Sequence, residues 1–421
     1  MNLLFSSGLP RSGTNLITKA LSVHEKIIYA CGPAIEIYRY HRNHILKKYG
    51  SFELQNFVKP TDPILAYFGN DHLINFLDII LESSFDEIFD QSLNNNFFLA
   101  IKNRVDHDSK DLLENIESIK GESFSEIIKN LAQHIQITRK KISNDGYVGI
   151  HESWNIDSFP ALAKSFPMAK FIVIMRDPRA TINSSLGFAK NRPDTRAQII
   201  SFCRHFRKYV RLINRFMSDR RFNNKLLVIK HEDTLNNPRF VISKICQFLN
   251  LDFNENLLDP SLYYDYATKS IWNGNSAFEK KVKNYDPNRN IRWKKTLTSN
   301  EIKSIEYLCY EEMIAMNYEL INKFPLNKDE LTNRNKVWIE FRKSELIDEN
   351  KKYCDNFKNI NFLDKVRFKD CLEKNCKLNN SKCFEDVCKM KLIDDEIVDT
   401  GDRIYVNNKC YQQTKKDIPY L

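Results

Sequence analysis

The sequence predicts an α/β fold in which a central parallel sheet is covered by helices on both faces. Short, largely apolar runs, typical of strands buried on both faces, occur at residues 3–7, 147–150, 170–175 and 226–230. Segments with helical spacing follow them, at about residues 13–22, 158–165, 178–188 and 238–250. Strands that alternate with helices imply a parallel sheet, which binds ligands at the carboxyl ends of its strands.

Longer helical segments complete the prediction. Residues 36–145 are predicted to be mainly helical, with apolar residues at three- and four-residue spacing between 108 and 141. A long basic helix is expected at about 194–217, and a further helix at 299–316. The core of alternating strands and helices therefore carries a large helical insertion.

The composition suits one large domain with an extension. The chain has 421 residues, 42% of them hydrophobic, and a formal net charge of +10. This basic surplus favours anionic ligands and surfaces. Nucleic acid is not expected as a partner, because the surplus is spread along the chain and no helix-turn-helix, RNP-type or zinc-finger pattern occurs.

The sequence also bears on location. It contains no apolar run long enough for a transmembrane helix. The first methionine leads directly into the first predicted strand, without the charged region and cleavage site of a signal peptide. These observations predict a cytoplasmic protein without a transmembrane segment.

The turn after the first strand has the features of an anion site. Gly8 and Gly13 frame a tight turn that leads into a helix, whose first N–H groups lack intrahelical partners and whose dipole favours negative charge. Arg11 adds a guanidinium fork inside the turn. Further side-chain donors come from Ser12, Thr14 and Asn15.

This turn differs from the P-loop of ATPases. The spacing of Gly8 and Gly13 agrees, but Thr14 and Asn15 stand where that loop has lysine and a magnesium-binding hydroxyl. The charge has moved into the turn, to Arg11. The turn is therefore expected to hold a single phosphate group rather than a magnesium triphosphate.

A second basic motif lies more than 160 residues further on. The apolar run 170–175 is followed by Arg176, Asp177 and Pro178, and Ser184 stands eight residues after Arg176. Arg176 lies at the carboxyl end of a strand and Ser184 two turns along the next helix. Both side chains can therefore face one phosphate.

Together these two motifs resemble those of sulfotransferases that use 3′-phosphoadenylyl sulfate (PAPS). The resemblance implies a P-loop-like three-layer fold with a central parallel sheet, and PAPS as co-substrate. It implies that Arg176 and Ser184 hold the 3′-phosphate of the nucleotide. The implied 5′-phosphosulfate loop consists of Pro10, Arg11, Ser12, Gly13, Thr14 and Asn15.

Further segments extend the resemblance to about residue 325. Residues 225–251 are similar to the family's strand, acidic turn and helix, although His231 stands where relatives usually have tyrosine near the nucleotide. Residues 274–278, which include Asn275 and Ser276, and residues 292–294 resemble the family's end; Arg292 and Lys294 either reach the 3′-phosphate or form a charged surface. The expected sulfotransferase domain is 1–328, with the helical insertion at about 37–145 as a lid on the acceptor side.

The resemblance also suggests catalytic residues. Arg11 is expected to neutralise the leaving oxygen. Glu36 falls where many relatives place a glutamate, and His151 stands where the family usually has a catalytic lysine. Either residue can serve as the base that takes the acceptor's proton, with Glu152 as a weaker rival.

Residues 329–421 are expected to form a cysteine-rich extension that begins with a charged helix at 330–350. Two readings of its cysteines compete with free thiols: disulfides, which would require an oxidising compartment, and a structural zinc site. Four residues separate Cys371 from Cys376, and four separate Cys383 from Cys388. This spacing is looser than the two residues that are usual between zinc ligands. The extension holds six of the ten cysteines: Cys354, Cys371, Cys376, Cys383, Cys388 and Cys410.

The expected function is transfer of a sulfuryl group to an acceptor hydroxyl. A carbohydrate, a protein tyrosine and a small-molecule alcohol all remain open as acceptors, and the basic charge suits an anionic glycan or protein. Two alternatives remain. One is a nucleotide or small-molecule kinase, which the missing P-loop lysine disfavours, and the other is an inactive nucleotide-binding module, which His151 in the lysine's place favours.

Overall fold

The structure is a computed structural model that describes residues 2–49, 76–88, 94–139, 146–188, 195–274 and 285–322. Asn275, Ser276, the expected domain boundary near 328 and the cysteine-rich extension lie outside these residues. The chain divides into two compact units. The first comprises Met1–His44, Ile80–Lys190 and Phe216–Thr296, and the second comprises Ile45–Ile79, Asn191–Arg215 and Leu297–Leu421.

Five parallel strands form the sheet of the first unit, in the order β2-β3-β1-β4-β5. Register pairs Leu4 of β1 with Gly149 on one side and with Lys170 on the other. The predicted parallel sheet is confirmed, but β2 at its edge was not predicted. The strands are β1 (Asn2–Gly8), β2 (Ile27–Cys31), β3 (Tyr147–His151), β4 (Lys170–Met175) and β5 (Leu226–Lys230).

Helices cover the sheet and extend the chain beyond it. A short hairpin of β6 (Tyr264–Asp265) and β7 (Ser270–Ile271) follows the sheet. The α-helices are α1 (Thr14–Leu21), α2 (Ile35–Tyr49), α3 (Phe76–Glu82), α4 (Asn94–Asp108), α5 (Phe124–Arg139), α6 (Phe159–Ser165), α7 (Pro178–Phe188), α8 (Thr195–Met217), α9 (His231–Asn236), α10 (Pro238–Phe248), α11 (Asn288–Ile291), α12 (Trp293–Thr296), α13 (Ser299–Leu308) and α14 (Tyr310–Ala315).

Alternate side chains of the strands face two different helical layers. On one face, Leu4 and Ile172 belong to a core that includes Ile17 of α1 and Ile245 of α10. On the other face the rings of Phe5 and Phe171 lie 5.6 Å apart. Phe159 of α6 packs on Phe171 at 5.0 Å. Because successive strand residues point to opposite faces, this packing makes three layers, as predicted.

Two predicted helices are interrupted. Between 109 and 123 the chain forms 3₁₀ turns, because Asn115 takes a φ of 58°, a left-handed conformation that ends a right-handed helix. The predicted helix 299–316 breaks at Cys309, whose φ of −109° and ψ of 15° lie outside the helical region. A capping box between Thr298 and Glu301 starts α13.

The second unit pairs buried basic side chains with one glutamate. Arg207 and Arg211 of the basic helix α8 both contact Glu312, with N···O distances of 3.3 and 2.9 Å. All three side chains are buried. These arginines therefore serve the interior of the unit, since a buried charge requires a partner.

Within the part of the chain that the structure describes, no helix is both long and apolar enough to cross a membrane.

Phe171→Ala tests the central core. Its ring is fully buried between Phe5, Phe159 and Phe222, so truncation is expected to lower the free energy of unfolding by about 3–5 kcal/mol. Denaturant unfolding measures this loss. The matched control is Phe240→Ala, whose side chain is 61% exposed and whose loss should change stability by at most about 0.5 kcal/mol. Equal losses would contradict the assigned packing.

Candidate active site

A pocket opens at the carboxyl ends of β1, β4 and β5, in the first unit. The residues that follow these strands, Arg11, Arg176 and His231, all line it. Parallel sheets bind ligands at this edge, because loops and helix N-termini gather there. The structure therefore places the predicted turn after β1 and the predicted motif after β4 in one site.

The turn after β1 presents an open helix N-terminus. Arg11 and Gly13 take left-handed φ angles of 71° and 87°, and no side chain caps the first turn of α1. That turn also holds no acidic residue. Of the turn's residues, Arg11, Gly13, Thr14 and Asn15 line the pocket, whereas Pro10 does not. Ser12 is buried, and its hydroxyl has no hydrogen-bond partner within the described segments.

Glycine is required at position 13 for two reasons. Its φ lies in the left-handed region, which costs other residues strain. A Cβ at this position would also overlap the His231 imidazole. Because Gly13 has no side chain, His231, which follows β5, can lie against the turn after β1. His231 is expected at the nucleotide from its position in the motif, but its contact with Gly13 is not predictable from the sequence.

Arg176 connects the two predicted motifs directly. Its Nη1 donates to the carbonyl of Arg11 at 2.8 Å, and the Nε of Arg11 donates to the Ser184 hydroxyl at 3.1 Å. Burial and the neighbouring Arg176 charge lower the pKa of Arg11 to about 10, so the Arg11 guanidinium is still charged at pH 7. Two adjacent cations favour an anion between or beside them.

Two further arginines reach the pocket from the segment after residue 285. Arg289 and Arg292 both line it, and the carbonyl of Arg289 accepts a hydrogen bond from Arg176 Nη2 at 3.4 Å. The sequence alone does not decide whether Arg292 reaches a phosphate or forms a charged surface, and it did not predict Arg289. Their three-residue spacing, which places two side chains on one face of a helical turn, is a signal that could have found the pair.

The apolar wall of the pocket comes from three elements. Leu16 of α1, Leu235 of α9 and Trp272 after β7 contribute to it. The His231 ring is buried, and its Nδ1 has no hydrogen-bond partner among the residues that the structure covers. Burial and the charges of Arg176 and Arg289 lower the pKa of His231 far below its usual value, so it is neutral at pH 7.

The two candidate bases do not line this pocket. Glu36 lies in the first turn of α2 and accepts a hydrogen bond from Arg39 at 2.7 Å. His151 ends β3, and its Nδ1 lies 3.1 Å from the Ser6 hydroxyl. Burial lowers the pKa of His151 to about 4. A neutral His151 can accept a proton at pH 7, but it does not provide the permanent positive charge of a lysine.

Glu152 has a structural partner. Its side chain accepts the Ala34 N–H at 2.5 Å, so it ties the segment before α2 to the end of β3. Glu36 comes shortly after β2 and His151 is the last residue of β3, and these two strands are neighbours, since Cys31 pairs with His151 in the sheet. The two candidates therefore share the carboxyl edge of the sheet.

The described residues contain no group of three or more histidine, cysteine or acidic side chains that could hold a metal ion. Cys31, Cys203, Cys246 and Cys309 are free thiols. The cysteines for which disulfides or zinc are expected all lie in the extension, outside the described residues.

A family model described as "Sulfotransferase family" matches residues 4–255. This match covers more than half of the chain and includes both basic motifs. The chain therefore belongs to the sulfotransferase family. No curated protein matches the sequence.

Several solved structures are similar to the chain at low identity. The sulfotransferase domain of the Synechococcus PCC 7002 olefin synthase is 18% identical, with a TM-score of 0.44 and coverage of 76% of this chain and 96% of that one. The sulfotransferase domain from the curacin biosynthetic pathway is 15% identical, with a TM-score of 0.43 and coverage of 76% and 98%. Sulfotransferase STF9 from Mycobacterium avium is 14% identical, with a TM-score of 0.37 and coverage of 76% and 78%. The family assignment rests on the sequence match, since these TM-scores are below 0.5.

Gly13→Ala tests the contact between Gly13 and His231. The variant should lose about 1–2 kcal/mol of stability from the left-handed φ and more from overlap with the ring. In a His231→Ala background the overlap is absent, so only the cost of the backbone should remain. Denaturant unfolding of the four proteins in this double-mutant cycle measures the difference. An equal cost of Gly13→Ala in both backgrounds would contradict the contact.

Proposed function

We propose that this chain is a PAPS-dependent sulfotransferase that transfers a sulfuryl group to an acceptor hydroxyl. The observation that carries the proposal is the meeting of Arg11, Arg176 and Ser184 in one pocket of a sulfotransferase-family chain. These three residues belong to the two motifs whose resemblance implies a donor with a 5′-phosphosulfate and a 3′-phosphate.

The polar residues suit two separate anionic groups. The open N-terminus of α1, with Gly13, Thr14 and Asn15 at the pocket, suits the 5′-phosphosulfate. Arg176 and Ser184 suit the 3′-phosphate, and Arg289 and Arg292 add charge to the pocket. Four arginines exceed what a single phosphate needs, so the pocket favours a bisphosphate over AMP.

The apolar wall suits a nucleobase. Trp272 offers an aromatic surface, and Leu16 and Leu235 offer aliphatic ones. The Nδ1 of His231, which lacks a partner among the described residues, offers an additional polar contact. We assign the base to this wall, with Trp272 as its aromatic surface.

In the proposed reaction the acceptor oxygen attacks sulfur in line. The bond between sulfur and the phosphate oxygen breaks, adenosine 3′,5′-bisphosphate leaves, and a base takes the acceptor's proton. Positioning and neutralisation of the leaving oxygen supply most of the rate, as in phosphoryl transfer. We assign the neutralisation to Arg11, whose Nε donates to the Ser184 hydroxyl and whose guanidinium carries further N–H donors for the leaving oxygen.

One feature weighs against the kinase alternative, and another favours the inactive module. A kinase of the P-loop type needs a lysine and a magnesium-binding hydroxyl after Gly13, where this chain has Thr14 and Asn15. An inactive module is favoured by the neutral histidine in the lysine's place. Binding and turnover separate these readings from the proposal. A carbohydrate, a protein tyrosine and a small alcohol are the acceptors to screen, and the charge of +10 suits an anionic glycan or protein.

Calorimetric titration with adenosine 3′,5′-bisphosphate tests the donor site. The wild-type protein should bind it more tightly than AMP or ATP, because only the bisphosphate occupies both anionic positions. Arg176→Ala should weaken binding by about 1.5–3 kcal/mol, which is roughly ten- to a hundredfold. Arg239→Ala, which removes an exposed arginine of α10, is the matched control and should bind as the wild type does.

Equal binding of ATP would instead favour the kinase, and binding without turnover of any acceptor would favour the inactive module. An Arg176→Ala variant that binds the bisphosphate normally would show that the pocket has been assigned to the wrong ligand.

Glu36→Gln and His151→Gln test the base. Turnover is followed with labelled PAPS against tyrosyl peptides, glycans and phenols. The variant that lacks the base should lose roughly 10²–10⁴-fold in turnover and still bind the bisphosphate. Glu25→Gln, on an exposed side chain, should retain full turnover. Full turnover in both test variants would exclude both residues as the base.

A further inference from the structure

Glu232 contacts the two chain segments that bring Arg176 and Arg289 to the pocket. It lies in the first turn of α9, directly after His231. Its Oε1 accepts the backbone N–H of Asp177 at 2.9 Å. Asp177 follows Arg176 in the turn between β4 and α7. The Glu232 carboxyl group therefore contacts the backbone of the turn that carries Arg176.

This placement is costly for a carboxylate. Burial, together with the negative charge of Asp177, raises the pKa of Glu232 to about 7. The hydrogen bond from the Asp177 N–H and the positive charge of Arg176 act in the opposite direction. The charged form of Glu232 therefore depends on the hydrogen bond from the Asp177 N–H and on the charge of Arg176.

The turn is also held from its other side. Both Asp177 carboxylate oxygens accept hydrogen bonds from Arg179, whose guanidinium lies over the Trp293 ring at 4.0 Å. The Asp177 side chain is thus engaged, and its N–H is given to Glu232. The backbone carbonyl of Glu232 accepts from Asn290 at 3.3 Å, next to Arg289. Glu232 therefore contacts both the turn that carries Arg176 and the segment that carries Arg289.

We propose that Glu232 is a positioning residue of the nucleotide pocket, which sets the place of Arg176 through the backbone of Asp177. It does not line the pocket itself, and it acts through Arg176. This inference rests on the proposed function, because it assumes that Arg176 binds the nucleotide.

The position predicts a pH dependence of binding. The groups that face Glu232 are Arg176 and Asp177 from the turn after β4, with the neutral His231 beside it on α9. A phosphate on Arg176 would offset the cation that now favours the carboxylate, so binding raises the pKa of Glu232 further. Protons are then taken up on binding, and affinity falls as the pH rises through about 7.

Titration with adenosine 3′,5′-bisphosphate from about pH 6 to about pH 8 tests the inference, a range in which the ligand's own phosphates contribute equally for every variant. Glu232→Ala removes the acceptor and should weaken binding about tenfold. Glu232→Gln keeps an acceptor oxygen for the Asp177 N–H, so it should restore the affinity and lose the pH dependence relative to the wild type. Asp233→Asn, an exposed carboxylate in the same turn, should behave as the wild type does.

The outcomes separate this inference from the proposed function. Failure of the wild-type protein to bind the bisphosphate would overturn both. Binding that is lost in Arg176→Ala but unchanged in Glu232→Ala would overturn only the role of Glu232. If Glu232→Ala does not fold, Glu232→Gln decides, because a pH dependence equal to that of the wild type would overturn the inference. A thermal unfolding midpoint lowered in Glu232→Gln together with the affinity would indicate a merely structural role and would also overturn it.

Discussion

The hydrogen bond from Arg176 to the Arg11 carbonyl is the contact on which the rest of the site depends. It joins residues 165 positions apart in the chain. β1 and β4 are neighbours in the sheet and end at the same edge, so parallel pairing brings the two turns together. The left-handed φ of 71° at Arg11 belongs to the same constraint, because the backbone of this turn supplies the acceptor for Arg176.

Electrostatics determine what this arrangement can bind. Four arginines line the pocket, and the backbone carbonyls of Arg11 and Arg289 accept hydrogen bonds from Arg176. A carbonyl orients a guanidinium without cancelling its charge, so the pocket keeps its attraction for an anion. The nearest carboxylates act on the turn behind Arg176: Asp177 binds Arg179, and Glu232 binds the backbone of Asp177. The Glu232 carboxylate is still coupled to Arg176, whose positive charge opposes the rise in its pKa.

Local patterns predicted the strands β4 and β5 and the helix α7 to the residue, because each is a continuous apolar run or a proline-started helix with a clear boundary. β2 was missed, since its five residues include Ala30 and Cys31, and alanine has a lower strand preference than the branched residues that dominate β4 and β5. The site followed a similar division. Arg11, Arg176 and Ser184 could be predicted because they occur in recognisable motifs. Arg289 and the contact between Gly13 and His231 depend on chain segments that meet only in the folded protein, and no local pattern records such a meeting.

Because His151 is neutral at pH 7, it cannot supply positive charge to the leaving oxygen of the proposed reaction. A lysine at this strand end would carry a positive charge to the reacting centre, whereas burial lowers the pKa of His151 to about 4. The negative charge that develops on the leaving oxygen must then be met from the other side, by the α1 N-terminus and a guanidinium. Arg11 is the guanidinium that belongs to that loop, and its Nε now contacts Ser184. In the proposed reaction, therefore, Arg11 meets the donor from a guanidinium that its contact with Ser184 orients, and the open N-terminus of α1 supplies further N–H donors.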